Sequence, residues 1–304
     1  MTGHDTPPVT RRQALTLGGV ALAGGTLGGA ALAQTDDDDD GDDETRTYRV
    51  TVANNTRGQP FTPPAVAAHE SSVEVFSVGE PANEPTYEIA ENGNLEPLVE
   101  LIGATDAIRG SAVGNAPLVP KEDPGDTGNP YYASLTLSAD ESAGYLTFIS
   151  MLIATNDGIV GLDTVPLPEA VNESRTYFAN GYDVGTEQNT ERFEDLVPPA
   201  KTLIVGGDPE GTTESNPDIA EDDVIRPHPG ISGDGDLPPS VYDWSEPAAL
   251  VQVERLADGE NSEDDDGDDD DETGTAENGS DDDGNGDGNN GDGDDGNGEN
   301  IVGW

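Results

Sequence analysis

Along the middle of the chain, apolar and polar residues alternate with a period of two in a series of short segments. In TYRVTVANN, Tyr48, Val50 and Val52 alternate with Arg49 and Thr51, the pattern of a strand with one face buried. SSVEVFSVG alternates through Val73, Val75 and Phe76, and ASLTLSAD repeats the pattern. Between these two the period changes. In YEIAENGNLEPLVELIGAT, Ile89 precedes an Asn-Gly break and Leu95, Leu98, Val99 and Ile102 follow at helical spacing, which predicts two short helices. GYLTFISMLIATND is the longest apolar run and reads as a central strand covered on both faces. RTYFANGYDVGTE, TLIVGG and ALVQVERL complete the set, separated by Pro-rich connections such as VPLPEA and RPHPGISGDGDLPPS. The expected fold is all-β: an antiparallel β-sandwich of about eight strands over residues 46–257, with one or two short helices, flanked by disordered acidic tails.

Both ends depart from this pattern. Arg11 and Arg12 stand before an uncharged run of small residues that closes on Ala31, Leu32 and Ala33. Residues 1–33 thus have the form of a secretory signal with paired arginines, the mark of the twin-arginine export route. A spanning helix is the rival reading, but the run is Gly- and Ala-rich and is followed by acids rather than by a basic stop. Residues 34–45 form an acidic linker, and residues 258–304 are Asp, Gly, Asn and Glu with almost no apolar side chain. Such composition cannot bury enough surface to offset chain entropy. The expected mature protein is secreted or held at the cell surface, with no membrane insertion after signal cleavage. The sequons at Asn54, Asn172 and Asn278 would permit glycosylation there.

Charge narrows the setting further. The chain carries 64 acids against 12 bases, for a net charge of −52. Residues 46–257 alone hold 35 acids against 10 bases. Like charge of that density repels itself at low salt, whereas at molar salt the screening length falls to about 3 Å. Acid-rich, lysine-poor composition therefore fits a halophilic protein. It also argues against a nucleic-acid partner, because nothing here would neutralise phosphates.

With no cysteine, disulfides, thiolate metal sites and cysteine nucleophiles are ruled out. No nucleophile elbow, His-x-x-x-His pair or phosphate-binding glycine loop occurs. His69 and His228 lie near prolines, and histidines so placed are most often structural. A hydrolase of extracellular polymers using loop carboxylates and one of these histidines is the enzymatic alternative, and a purely structural envelope protein is the other. The chemically suggestive stretch is SMLIATNDGIVGLD, residues 150–163, in which a strand-like run ends on Asn156, Asp157 and Gly158. Those residues make either a solvated tight turn or a metal loop.

SVGEPANEPTYEIAENGNLEPLVELI, SMLIATNDGIVGLD, GYDVGTEQNTE and HPGI, in this order and spacing, resemble the spondin domain, the module found in F-spondin and mindin and in secreted prokaryotic proteins. The resemblance covers roughly residues 46–256. It implies a β-sandwich with short helices, a role in adhesion or matrix contact with a protein or glycan partner at the cell surface, and one bound calcium ion. The acids that match the family's ligands are Asp157 and Asp183; Asp163 and Glu187 match acidic positions of the motifs but read as turn or capping residues. Two departures stand out. The family's aromatic pair after the first acid is replaced by Gly158 and Ile159, and the position of a third acid falls on Ser138, with Asp140 and Glu141 close by.

Overall fold

The computed structural model describes residues 45–257. The expected export signal at 1–33, all but the last residue of the expected acidic linker at 34–45 and the expected tail at 258–304 lie outside the described residues. In chain order the elements are β1 (Arg46–Asn54), β2 (Ala65–His69), α1 (Glu84–Asn92), α2 (Glu96–Ala104), β3 (Ile108–Val113), β4 (Tyr132–Ala139) and β5 (Tyr145–Met151). They continue with β6 (Gly158–Pro166), β7 (Ser174–Asp183), the one-turn α3 (Pro199–Thr202), the two-residue β8 (Arg226–Pro227), the one-turn α4 (Pro239–Tyr242) and β9 (Ala249–Arg255). The strands follow the order β3-β2-β5-β6-β7-β9-β1-β4, with β8 added on β7, and every pairing is antiparallel. Among the described residues, no helix is long and apolar enough to cross a membrane.

The sandwich forms because β7 belongs to two sheets. Residues Ser174 to Ala179 pair with β9, while Asn180 to Asp183 pair with β6. One sheet is therefore β4-β1-β9 with the first half of β7, and the other is β3-β2-β5-β6 with the second half. Between them lies a core that includes Tyr48, Val50, Val52, Leu137, Leu146, Phe148, Val251 and Val253, all 1% exposed or less. A second core covers the far side of β5, where Ile149 and Met151 pack with Ile89 of α1 and Leu98 and Ile102 of α2. The long apolar run is thus covered on both faces, as its sequence predicts. At the outer edges, a Cβ on Gly110 of β3 would lie 2.1 Å from the Ser138 carbonyl oxygen of β4. Glycine lets the two edge strands approach there and nearly close the structure into a barrel.

The two helices also fall where the periodicity puts them. Asn83 caps α1 by accepting the Thr86 N–H at 2.9 Å, and Gly93 ends it in the left-handed conformation, φ 64°. Two predicted strands are corrected. SSVEVFSVG has no strand: its apolar residues Val75 and Phe76 are buried in a loop, and Phe76 lies over Gly161, where a Cβ would meet its ring at 2.7 Å. Val75 and Phe76 are buried side by side by packing onto the second core, not by pairing. TLIVGG runs from the end of α3 into turns, with Gly206 and Gly207 at positive φ. In exchange, β2 and β3 carry no alternation to find, since every residue of β2 is buried and β3 is an edge strand of mixed polarity.

The sequon at Asn54 is closed to glycosylation. Its amide is buried and donates to the carbonyls of Gln59 at 2.7 Å and Leu118 at 3.1 Å. Asn172 sits exposed in a turn, and Asn278 lies outside the described residues. The two faces of the β-rich body predict opposite responses to truncation. Phe148→Ala, in the inter-sheet core, should lose about 3–5 kcal/mol in denaturant unfolding at molar salt, whereas Phe178→Ala, on the outer face at 65% exposure, should stay within about 0.5 kcal/mol of the parent.

Candidate metal centre

The connection from β5 to β6 is a tight corner, but it is not a solvated one. Thr155 Oγ1 donates to the Leu152 carbonyl at 2.6 Å and accepts the Gly158 N–H at 2.9 Å. A Cβ on Gly158 would lie 2.3 Å from that same hydroxyl, so the corner requires glycine where the resembled family has an aromatic residue. Thr155, Asn156 and Asp157 are 2%, 2% and 0% exposed, which removes the plain solvated-turn reading. Asn156 instead bonds to Thr190 Oγ1 and accepts the Glu191 N–H, both at 3.2 Å.

Strand pairing brings the second acid to the same place. Gly158 is the register partner of Asp183, so Asp157 lies at the corner beside the end of β7. Asp157 Oδ2 accepts the N–H groups of Thr186 at 2.7 Å and Glu187 at 3.0 Å, and the Thr186 hydroxyl at 3.3 Å. Asp157 Oδ1 is buried with no hydrogen-bond partner. Asp183 is also 0% exposed. Its Oδ1 accepts the Gly185 N–H at 2.9 Å, while Oδ2 takes the Asn189 amide at 2.7 Å and the Arg226 guanidinium at 3.2 Å. Since a carboxylate oxygen offers two lone pairs, one accepting position stays open on Asp183 Oδ1 and both stay open on Asp157 Oδ1.

Electrostatics single out the same carboxyl. Burial first, and then the charge of Asp183, push the Asp157 pKa up from 3.8 to about 6, against the opposing bonds from Thr186 and Glu187. Glu187 is 3% exposed and its pKa rises from 4.5 to about 7, through burial first and then the charges of Glu91, Asp157 and Asp195, opposed by the Asn216 N–H. Glu91, at the end of α1, is buried and its Oε2 has no partner. Glu187 is thus a buried carboxyl near the corner, and its Oε1 accepts the Asn216 N–H at 3.1 Å as a loop-holding residue would.

The donor set suits a hard cation in kind, because it is all oxygen and one of those oxygens is buried and unsatisfied. In number it is incomplete. Among the described residues, no group of three or more His, Cys, Asp or Glu side chains converges so as to hold a metal ion, so calcium here would take its remaining oxygens from backbone carbonyls and water. The position of the third family acid does not help. Ser138 is exposed, with its hydroxyl bonded to Thr47, and Asp140 and Glu141 occupy the turn before β5, at the opposite end of that strand from Asp157. Asp140 pairs with Arg109 and Glu141 with Arg46. Asp163 lies within β6.

Among the described residues, the histidines lie in packed surroundings away from any catalytic constellation, although His228 Nε2 is buried without a hydrogen-bond partner. His69, at the far end of β5 from the corner, is buried, with its ring nitrogens 2.8 Å from the Glu70 carbonyl and 2.9 Å from Thr147 Oγ1. His228 Nδ1 accepts the Gly230 N–H at 3.0 Å and its ring lies 5.0 Å from that of Trp244. Burial lowers its pKa to about 4, so it is neutral at pH 7. Glu191, absent from the sequence reading, accepts the N–H groups of Ser232, Gly233 and Asp234 at 2.5–3.0 Å and holds the loop after HPGI. Neither a protein-family model nor a curated protein matches the chain.

The raised carboxyls fix the sign of a pH effect. Between about pH 4 and 7 the folded protein binds protons at Asp157 and Glu187 that the unfolded chain releases, so their contribution to stability is full in acid and is lost as pH rises. His69 and His228, with lowered pKa values, act in the opposite sense. Comparing variants removes them. In chelator at fixed molar salt, Asp157→Asn with Glu187→Gln should melt progressively higher than the parent as pH rises from 4 to 8; parallel curves would mean that the two carboxyls ionise freely in the fold.

Proposed function

We propose that this chain is a spondin-like, calcium-stabilised β-sandwich that works outside the cell in high salt, in adhesion or in contact with matrix or envelope. The observation that carries the calcium reading is Asp157 Oδ1, a buried carboxylate oxygen with no partner, on a residue that precedes the register partner of Asp183 and feels the charge of its carboxylate. An unpaired buried charge is costly, and a divalent cation removes that cost while tying the β5–β6 corner to the end of β7. Calcium accepts the mixed, irregular oxygen sets that loops provide. The paired Arg11 and Arg12, the acid-rich surface and the absence of cysteine support the exported, saline setting. The order of the motifs supports the family.

Thermal unfolding of the full chain, with calcium or chelator at matched ionic strength, tests the metal. Calcium at about 100 times its dissociation constant should add roughly 2.7 kcal/mol. For a domain of this size that is about 5–10 °C. Asp157→Asn and Asp183→Asn should each abolish the response, and an unresponsive parent protein would refute the site. Because the melt reports the folded body, calcium condensed on the acidic ends does not contribute.

A further inference from the structure

The outer face of the β4-β1-β9-β7 sheet carries a row of apolar side chains in register. Phe178 of β7 pairs with Leu250 of β9, Leu250 with Ala53 of β1, and Ala53 with Tyr132 of β4. Phe178, Leu250 and Tyr132 are 65%, 36% and 49% exposed. Tyr131 extends the row beyond β4, with its ring edge-on to Tyr132 at 5.1 Å. The next row on the same face is Thr176, Gln252, Thr51 and Ser134. In the row after that, Glu254 and Arg49 pair with each other at 3.2 Å between Ser174 and Thr136. The three rows on the four strands therefore have no net charge, and the cation at their margin is Lys121, 5.9 Å over the Tyr131 ring. Such neutrality is unusual in a chain of net charge −52.

We infer that this face is a docking surface for an uncharged polysaccharide, whose pyranose rings lie flat on Phe178 and Tyr132 while its hydroxyls bond to Thr176, Gln252, Thr51 and Ser134. Three properties select that partner. Sugar rings present C–H faces, which pack on aromatic rings set flush with a sheet, and their hydroxyls match a neighbouring row of hydroxyl and amide groups. Neutrality suits a neutral ligand: an anionic one would meet repulsion from the surrounding acids, and a cationic one would find its carboxylates elsewhere on the surface. Size argues against a protein. Three strand spacings by four residues span about 14 by 14 Å, roughly 200 Å², well short of the ~800 Å² per partner of a stable protein interface. A cleft lined by Gly114, Leu118, Pro130, Tyr132 and Ser134 continues the surface past β4, so a linear polymer could run across the sheet and off its edge.

The inference uses the exported setting of the proposed function but not its metal. The test is retention of the full chain on insoluble cellulose, mannan and chitin in molar potassium chloride, with calcium and with chelator, below the melting temperature in each. At least one polymer should retain the protein and release it to soluble oligosaccharides of the same polymer. Phe178→Ala and Tyr132→Ala should each weaken retention about tenfold, and Phe178→Tyr should keep it. Retention by none of the polymers, or retention indifferent to both alanine substitutions, would overturn the inference. So would a concentration-dependent dimer in sedimentation velocity that Phe178→Ala abolishes without changing retention, since the face would then belong to a second copy. Loss of the calcium response in the melt with retention intact would remove the metal reading alone.

Discussion

The two-layered body and the buried corner both depend on β7 being hydrogen-bonded in two sheets. A ten-residue strand that pairs with β9 through Ala179 and with β6 from Asn180 onward has to turn its second half away from its first. The sheet twist that permits this folds one continuous strand order into two layers, with an inter-sheet core between them. It also fixes what the two halves present. The first half directs Phe178 and Thr176 outward on a neutral sheet. The second half carries Asp183 inward against the corner that holds Asp157.

Burial of that corner runs against the rest of the chain's chemistry. With 35 acids against 10 bases in residues 46–257, carboxylates are mostly on the surface, where water and salt screen them. Asp157, Asp183, Glu187 and Glu191 are instead buried, and screening does not reach them. Two of the four are satisfied from within: Glu191 by three N–H groups and Asp183 by Gly185, Asn189 and Arg226. Asp157 leaves Oδ1 without a partner, and Glu187 accepts, among the described residues, only the Asn216 N–H; burial first, and neighbouring acids second, raise both pKa values. High salt can relieve the surface repulsion of this protein, but it cannot supply a partner to Asp157 Oδ1.

Sequence patterning resolves the body of this fold better than its corner. Period-two alternation identifies β1, β4 and β9 because each has one wet face, and the shift to helical spacing identifies α1 and α2. It misses β2 because AVAAH is buried on both faces and carries no period. It misreads SSVEVFSVG and TLIVGG because loops and turns there press apolar residues onto the second core, Val75 and Phe76 in one and Ile204 in the other, and such runs resemble strands in sequence. At the corner, the resemblance directs attention to Asp157 and Asp183, but a Thr-Asn-Asp-Gly string ordinarily marks a solvated turn. That it is buried follows from loop 184–191 folding over it, and no local pattern encodes that. Arg226, 43 residues after Asp183 in the chain, is equally invisible. The aromatic row needs strand register across four strands before Phe178 and Tyr132 become neighbours on one face.

Charge balance at the corner connects these observations. Arg226 is shared among Asp183, Glu221 and Asp223, so its charge does not offset the corner acids alone, and a divalent cation would match the two negative charges of ionised Asp157 and Asp183. Glu187, whose backbone N–H bonds to Asp157 Oδ2, adds a further buried acid that feels the charge of Asp157. Its pKa near 7 means that it holds its proton up to about neutrality while the corner lacks a cation, and an added positive charge would favour its release. A buried carboxyl near the corner would thus make the charge of the site depend on pH without having to be a ligand, while its Oε1 accepts the Asn216 N–H and holds that residue's loop.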